Sequence, residues 1–237
     1  MKILIFIPAR GGSKGIICKN LVELNDKPLI QYTLEIANKL SENNLHQWIP
    51  FVSTDDDKII SFCKARGFNM EYRRPENLSG DKSSIIDSVW DALKWLKAYK
   101  NISPDGILLL QPTSPLRNCK TILDAIAQLN MEIDLSVVSV TKMYEHPYEC
   151  IKIIKNGWQY LEKSSKELTC RQEYKDSYLF IDGNFYFATI EYLTKYNSFI
   201  VENKSILFPL NQRFPIDIDE YEDLLMVQYL LSTKNYS

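Results

Sequence analysis

The residues best suited to chemistry gather in polar loops that follow short apolar runs. The first loop is Pro8-Ala9-Arg10-Gly11-Gly12-Ser13-Lys14-Gly15, continuing to Lys19-Asn20. Glycines let backbone N–H groups approach an anion closely, and Arg10, Lys14 and Lys19 supply charge. The spacing matches neither G-x-x-x-x-G-K-[ST] nor G-x-G-x-x-G. A surface turn with ordinary lysines is the plainer alternative, but three cations and three glycines in one loop favour a phosphate cradle. A second loop, residues 73–84, carries Arg73-Arg74-Pro75, Ser83 and Ser84. A third, Gln111-Pro112-Thr113-Ser114-Pro115, offers polar groups on a segment stiffened by two prolines, which lowers the entropy cost of holding them for a ligand. Farther on, Asp217 and Asp219 stand two apart. On an extended segment both point to one side and can reach one hard cation. Asp219 also precedes a helix, where a carboxylate is favourable in any case.

These loops need a scaffold. Ile3–Ile7 reads as a buried strand, Trp48–Ser53 as a second, Phe68–Tyr72 as a short third, then Ile107–Leu110 and Leu135–Val140. Between them lie helical stripes: Leu29 to Leu40, a helix capped by Thr54 and stopped by Gly67, one behind a Ser84/Asp87 capping box, and one over about 121–129. Strands alternating with helices predict an α/β fold with a mostly parallel sheet covered on both faces, Rossmann-like and doubly wound. In such sheets ligands bind outside the carboxyl ends of the strands, where the three loops lie. Residues 141–176 break the rhythm and read as an arm or hairpin inserted into the sheet order. The core resumes at Tyr178–Thr189 and Ser205–Pro209 and closes with a helix from about Glu220 to Leu231. The division is therefore a core of 1–140, an arm of 141–176, and a completing segment of 177–237.

Composition narrows the function. The chain has 237 residues, with 28 Lys and Arg against 30 Asp and Glu, a net charge of −2. No whole-protein basic field argues for nucleic acid. No stretch approaches the roughly 18–20 apolar residues of a membrane span, and Ile3–Ile7 is too short for a signal-peptide core. Five scattered cysteines without a C-x-x-C pair exclude a zinc knuckle and a disulfide framework, so a reducing cytoplasm is expected. Two histidines exclude a His-rich metal site. Of 8 glycines, three fall at Gly11, Gly12 and Gly15, which marks the first loop as unusual in shape.

The ordered blocks Ile7-Pro8-Ala9-Arg10-Gly11-Gly12-Ser13-Lys14-Gly15, Lys19-Asn20, Ser53-Thr54-Asp55-Asp56, Arg74-Pro75, Gln111 through Arg117, and Asp217-Ile218-Asp219 span nearly the whole chain. Together they resemble the acylneuraminate cytidylyltransferases, the CMP-sialic acid synthetases. The resemblance implies a homodimer that uses Mg²⁺ to join CMP, taken from CTP, to the anomeric hydroxyl of a nonulosonic acid, with pyrophosphate leaving. It implies that Arg10 and Lys19 contact the triphosphate and that amides around Gly12, Ser13 and Lys14 cradle it, beside Ala9. It further implies that Arg74 reads the cytosine, with Asn20, Ser83 and Ser84 on the nucleoside. Asp217 and Asp219 would hold the Mg²⁺. Gln111, Pro112, Thr113 and Ser114 would form the sugar-side loop, with Asp182 and Tyr186. Arg171, lent by the partner subunit, would meet the sugar carboxylate.

Asp182 departs from the family's usual Asn-Gly-x-x-Tyr pattern, because Asp182-Gly183-Asn184-Phe185-Tyr186 sets a carboxylate where a neutral amide is common. N-acetylneuraminate is the expected acid, and a relative such as legionaminic acid is the alternative. Two other classes stay open on sequence alone. One is a nucleotide-sugar glycosyltransferase, which also uses D-x-D. The other is a non-catalytic nucleotide-binding protein.

Overall fold

A computed structural model describes residues 1–130, 135–163, 177–211 and 216–233. Its strands are β1 (Lys2–Pro8), β2 (Glu23–Leu24), β3 (Lys27–Pro28), β4 (Gln47–Ser53), β5 (Gly106–Leu109), β6 (Ser136–Lys142), β7 (Ile151–Ile154), β8 (Gly157–Tyr160), β9 (Leu179–Thr189) and β10 (Ile206–Pro209). The helices are α1 (Leu29–Ser41), α2 (Asp57–Lys64), α3 (Ile85–Lys100), α4 (Cys119–Ala127), α5 (Ile190–Tyr196) and α6 (Tyr221–Ser232). Six strands form the central sheet in the order β10-β6-β9-β5-β1-β4. β1 pairs parallel with β4 and β5, and β6 pairs parallel with β10. β9 runs antiparallel between β5 and β6. Five strands therefore share one direction, as the α/β reading expects, and β9 alone opposes them. Sequence could not show this reversal, because a strand buried on both faces looks the same in either direction.

β1 shows why the sheet is covered twice. Ile3, Ile5 and Ile7 face one way and pack with Ile30, Leu34 and Ala37 of α1 and with Ile122 and Ile126 of α4. Leu4 and Phe6 face the other way, toward Val89, Ala92 and Leu96 of α3 and toward Tyr192 and Leu193 of α5. Period-two alternation thus feeds two cores instead of one core and solvent. A third, smaller cluster lies under α6 and joins Ile16, Leu24, Leu29, Leu116 and Ile218 to Leu224, Val227 and Leu230.

Several local expectations shift. Residues 68–72 form no strand; Tyr72 is instead buried with its hydroxyl donating to Asp91. α2 is capped by Asp56, whose Oδ1 accepts the Lys58 and Ile59 N–H groups at 2.8 and 2.9 Å, and Thr54 only turns the chain into it. α4 starts earlier than expected because Asn118 caps it, accepting from Lys120 N–H. The excursion after β6 contains the antiparallel hairpin β7–β8. Its Ile151, Ile153, Trp158 and Tyr160 are exposed. Arg171 and the rest of residues 164–176 lie outside the described residues. No helix among the described residues is long and apolar enough to cross a membrane.

Phe187 of β9 is fully buried, and a Cβ on Gly106 of β5 would lie 2.9 Å from its ring. The bare Gly106 backbone makes room for that ring near the end of the reversed strand. Phe187→Ala is expected to lower unfolding free energy by about 3–5 kcal/mol, read as a lower urea midpoint at unchanged m.

Candidate functional site

A cleft of about 600 Å³ opens at the carboxyl ends of the parallel strands, within the roughly 300–1,000 Å³ range of ligand sites. A second cavity of about 430 Å³ adjoins it, and Gln111, Asp217 and Asp219 line both. β9 supplies the second cavity because its reversed direction brings its beginning, not its end, to this rim. Phe180, Ile181, Asp182 and Gly183 therefore stand beside the loop that leaves β5.

The first loop closes on itself before it meets any ligand. Ser13 Oγ donates to the Ile16 carbonyl and accepts from Lys19 N–H. Cys18 then takes a left-handed φ of 54°, and a short 3₁₀ turn over Lys19–Leu21 follows. Asn20 is buried and donates its amide to the Arg10 carbonyl. Lys19 Nζ is held at 2.8 Å by the Ile218 carbonyl and at 2.9 Å by Asp219 Oδ1. The glycines turn out to have separate uses. A Cβ on Gly15 would lie 2.4 Å from the Asp219 carbonyl oxygen, and one on Gly11 would lie 2.7 Å from the Asp56 carboxylate. Both positions serve chain-to-chain approach, whereas Gly12 faces open space on the cleft.

Arg74 is 5% exposed yet lines the cleft. Its Nε and Nη2 donate to the hydroxyl and carbonyl of Ser53 at the end of β4. Burial pulls its pKa below the usual arginine value. On the opposite lip, Asp81 accepts from Arg10 and Lys14, each at 2.8 Å. Those hydrogen bonds, from Lys14 first and then Arg10, hold its carboxyl below the usual range.

The wall between the cavities is built on a buried guanidinium. Arg117 donates to the carbonyls of Gln111 and Asn184 and to the Thr33 hydroxyl of α1. Burial pushes its pKa down to about 9, against the opposing pull of Asp217 and Asp182. Ser114 donates to the Gly183 carbonyl and to Asp217 Oδ1. Ile218 N–H donates to the Thr113 carbonyl at 2.7 Å. Opposite Ser139, β9 bulges over Asp182–Phe185, with Gly183 at φ 73°. Burial raises the Asp182 pKa, partly offset by hydrogen bonds from Ser139 and the Asn184 N–H. Tyr186 is raised by burial and by Asp217.

The structure brings together most residues singled out from sequence. Arg10, Gly12, Ser13, Lys14, Lys19, Asn20, Arg74, Ser83, Gln111, Pro112, Thr113, Asp217 and Asp219 line the first cleft. Asp182 and Tyr186 line the second cavity. Three others are engaged within the protein itself. Ala9 is buried, with its N–H donating to Ser53; Ser84 caps α3 by accepting from Ile86 N–H; and Ser114 braces Asp217. Asp81 and Arg117 were not singled out. Nothing local marks Asp81, but an arginine ending a proline-stiffened loop directly after an apolar strand is a signal that could have found Arg117. Among the described residues no group of three or more His, Cys, Asp or Glu is placed to hold a metal ion alone. Asp217 and Asp219 on a shared rim suit Mg²⁺, which takes one or two carboxylates and completes its shell with phosphate oxygens and water.

Comparison with known proteins agrees with this geometry. A family model described as cytidylyltransferase matches residues 4–234. The chain is 32% identical over 98% of its length, and 97% of the other's, to a CMP-N,N'-diacetyllegionaminic acid synthase of Legionella pneumophila subsp. pneumophila. It is 30% identical over 100% of its length, and 99% of the other's, to a pseudaminic acid cytidylyltransferase of Campylobacter jejuni subsp. jejuni. In fold it is similar to a CMP:2-keto-3-deoxy-manno-octonic acid synthetase complexed with CTP, with a TM-score of 0.68 at 18% identity, covering 99% of this chain and 100% of the other.

Asp81 occupies Arg10 and Lys14, the two cations expected from sequence to meet a triphosphate. Asp81→Asn is expected to tighten CTP binding about two- to tenfold by calorimetry at low salt, with the gain shrinking as salt rises. Gly15→Ala must push the first loop off Asp219, so it is expected to weaken CTP binding at least tenfold with little loss of melting temperature.

Proposed function

The chain belongs to the cytidylyltransferase family and is a nucleotidyltransferase, and from that premise we propose that it transfers CMP from CTP to the anomeric hydroxyl of a nonulosonic acid. The observation that carries the reading is the meeting of two cavities at Gln111, Asp217 and Asp219, one of which collects Arg10, Lys14, Lys19 and Arg74 while the other has Asp182 and Tyr186 in its lining. N-acetylneuraminate is the reference acid. A legionaminic-type acid is the second reading, favoured by the 32% identical relative and by the carboxylate at Asp182.

In this reading Arg10, Lys14 and Lys19 take the triphosphate, with open amides at Gly12 and Ser13. Arg74 presents guanidinium donors to cytosine acceptors, while Asn20 and Ser83 hold the nucleoside. Gln111, Pro112 and Thr113 divide nucleotide from acid, and Tyr186 and Asp182 contact the acid. The anomeric oxygen attacks the α-phosphorus in line. A P–O bond forms to the sugar, the bond to the β-phosphate oxygen breaks, and pyrophosphate leaves with the electron pair. The hydroxyl proton passes to a carboxylate at the junction. Positioning and fixed positive charge do most of the catalysis, because charge spreads over the phosphoryl oxygens. Mg²⁺ held by Asp217 and Asp219 would supply further neutralising charge. Lys19 is already fixed by two oxygens, so its charge needs little reorganisation to serve the phosphates.

The exposed apolar side chains of β7–β8 suit burial against a second copy of the chain, which fits a homodimer whose arm lends Arg171 to the acid's carboxylate. Free cysteines at 18, 63, 119 and 150 suit the cytoplasm.

Incubation with CTP, MgCl₂ and a panel of nonulosonic acids is expected to release pyrophosphate and yield a CMP-linked acid, with turnover lost on chelation. Absence of pyrophosphate with every acid would overturn the reading. Lys19→Ala and Arg10→Ala are each expected to lower kcat by about 10²–10³. Near-normal turnover in either variant removes that residue from the mechanism.

A further inference from the structure

One ion pair in the cleft joins two groups to which the chemistry above gives different partners. Lys19 serves the triphosphate and Asp219 the Mg²⁺, yet Lys19 Nζ lies 2.9 Å from Asp219 Oδ1. The pair is lopsided, with the lysine side chain 13% exposed and the aspartate 72%. Both members are placed by the backbone. Lys19 N–H donates to Ser13 Oγ, and its Nζ also donates to the Ile218 carbonyl at 2.8 Å. Asp219 N–H donates to Asp223 Oδ2, and the Asp219 carbonyl lies so close to Gly15 that a Cβ there would come within 2.4 Å. Their meeting is therefore built by the fold, unlike a chance contact of two long surface side chains.

The second carboxylate is engaged as well. Ser114 donates to Asp217 Oδ1 at 3.3 Å, and the Arg117 charge lies close to it. A divalent cation arriving alone thus meets two carboxylates that are already opposed by two cations, and it must come near Lys19 to reach Asp219. A triphosphate changes both conditions. It offers Lys19 a stronger anion, and it brings oxygens of its own to the metal. The Ile218 carbonyl can hold Nζ throughout, so leaving Oδ1 needs only a turn of the ammonium.

We propose that Lys19 bars a divalent cation from Asp219 in the nucleotide-free protein and yields that carboxylate when a triphosphate takes its charge, so that metal enters with the nucleotide or after it. The inference rests on the nucleotidyl-transfer reading and its metal assignment. Linkage makes the effect reciprocal: whatever frees Asp219 favours the metal, and whatever frees Lys19 favours the nucleotide.

The test separates the two ligands. Mn²⁺ binding without CTP is followed by the paramagnetic resonance signal of the free ion, and CTP binding in EDTA by calorimetry. Lys19→Met should bind Mn²⁺ at least fivefold more tightly than wild type, and adding Asp219→Asn should abolish that gain. Lys19→Arg, which keeps the charge, should stay within twofold of wild type. Asp219→Asn alone should tighten metal-free CTP binding at least threefold, and Lys19→Met should weaken it. Unchanged melting temperatures check the fold. Mn²⁺ held no more tightly by Lys19→Met than by wild type overturns the proposal, as does an equal gain in Lys19→Arg or metal-free CTP binding unmoved in Asp219→Asn. The metal assignment is judged apart: it falls, and the proposal with it, if Asp217→Asn and Asp219→Asn each leave the dependence of turnover on Mn²⁺ concentration unchanged. No pyrophosphate released with any nonulosonic acid overturns the function itself.

Discussion

Ile218 is the pin on which the site depends. It is fully buried between two carboxylates that face the cavities, and it belongs to the small cluster under α6. Extended geometry sends alternate side chains to opposite sides, so sinking Ile218 into that cluster raises Asp217 and Asp219 toward the rim together. Its backbone works as well: the N–H donates to Thr113 and the carbonyl receives Lys19. One apolar side chain therefore sets Asp217 and Asp219, the Gln111–Pro115 loop and Lys19 in a common frame. Ile16 and Leu116 enter the same cluster from the first and third loops. The site is held from below by hydrophobic burial and tuned from above by charge.

The charges divide into those fixed by the fold and those poised for exchange. Arg117 and Arg74 are buried and tied to carbonyls and hydroxyls, so they act as struts. A guanidinium suits this work because its donors are rigid and its charge persists when dehydrated. Arg10 and Lys14 are tied to a partly exposed aspartate, a contact that solvent weakens and a stronger anion can replace. Rigid donors at Arg74 and Arg117 and exchangeable ones at Arg10 and Lys14 give a cleft that keeps its shape while its counter-charge changes.

Much of this was legible in the sequence because it rests on local signals. Apolar runs marked the strands, the polar loops after them marked the rim, and Asp217-Ile218-Asp219 showed its alternation outright. What escaped was set by distant partners. Gly11 and Gly15 looked like ligand-facing glycines, yet their missing side chains make room for Asp56 and Asp219, residues 45 and more than 200 positions away. Ser114 looked like a ligand contact and is a brace, because β9 comes to lie against its loop. Residues 68–72 had strand-like residues, yet they stay outside the sheet, with Tyr72 buried through its side chain. The direction of β9 had no sequence mark at all.

That reversed strand has a consequence for how the protein is made. Among the described residues, β6 pairs with β9 and β10 alone, and both follow residue 178. While the ribosome is still working through the first three quarters of the chain, β4, β1 and β5 can assemble, but β6 has nothing to join. Contacts between segments so far apart in sequence close slowly. When β9 emerges it drops between β5 and β6 and welds two half-sheets at once. The same stroke delivers Asp182 and Tyr186 to the rim, and Asp217 and Asp219 follow later still, so both cavities are completed only near the end of synthesis.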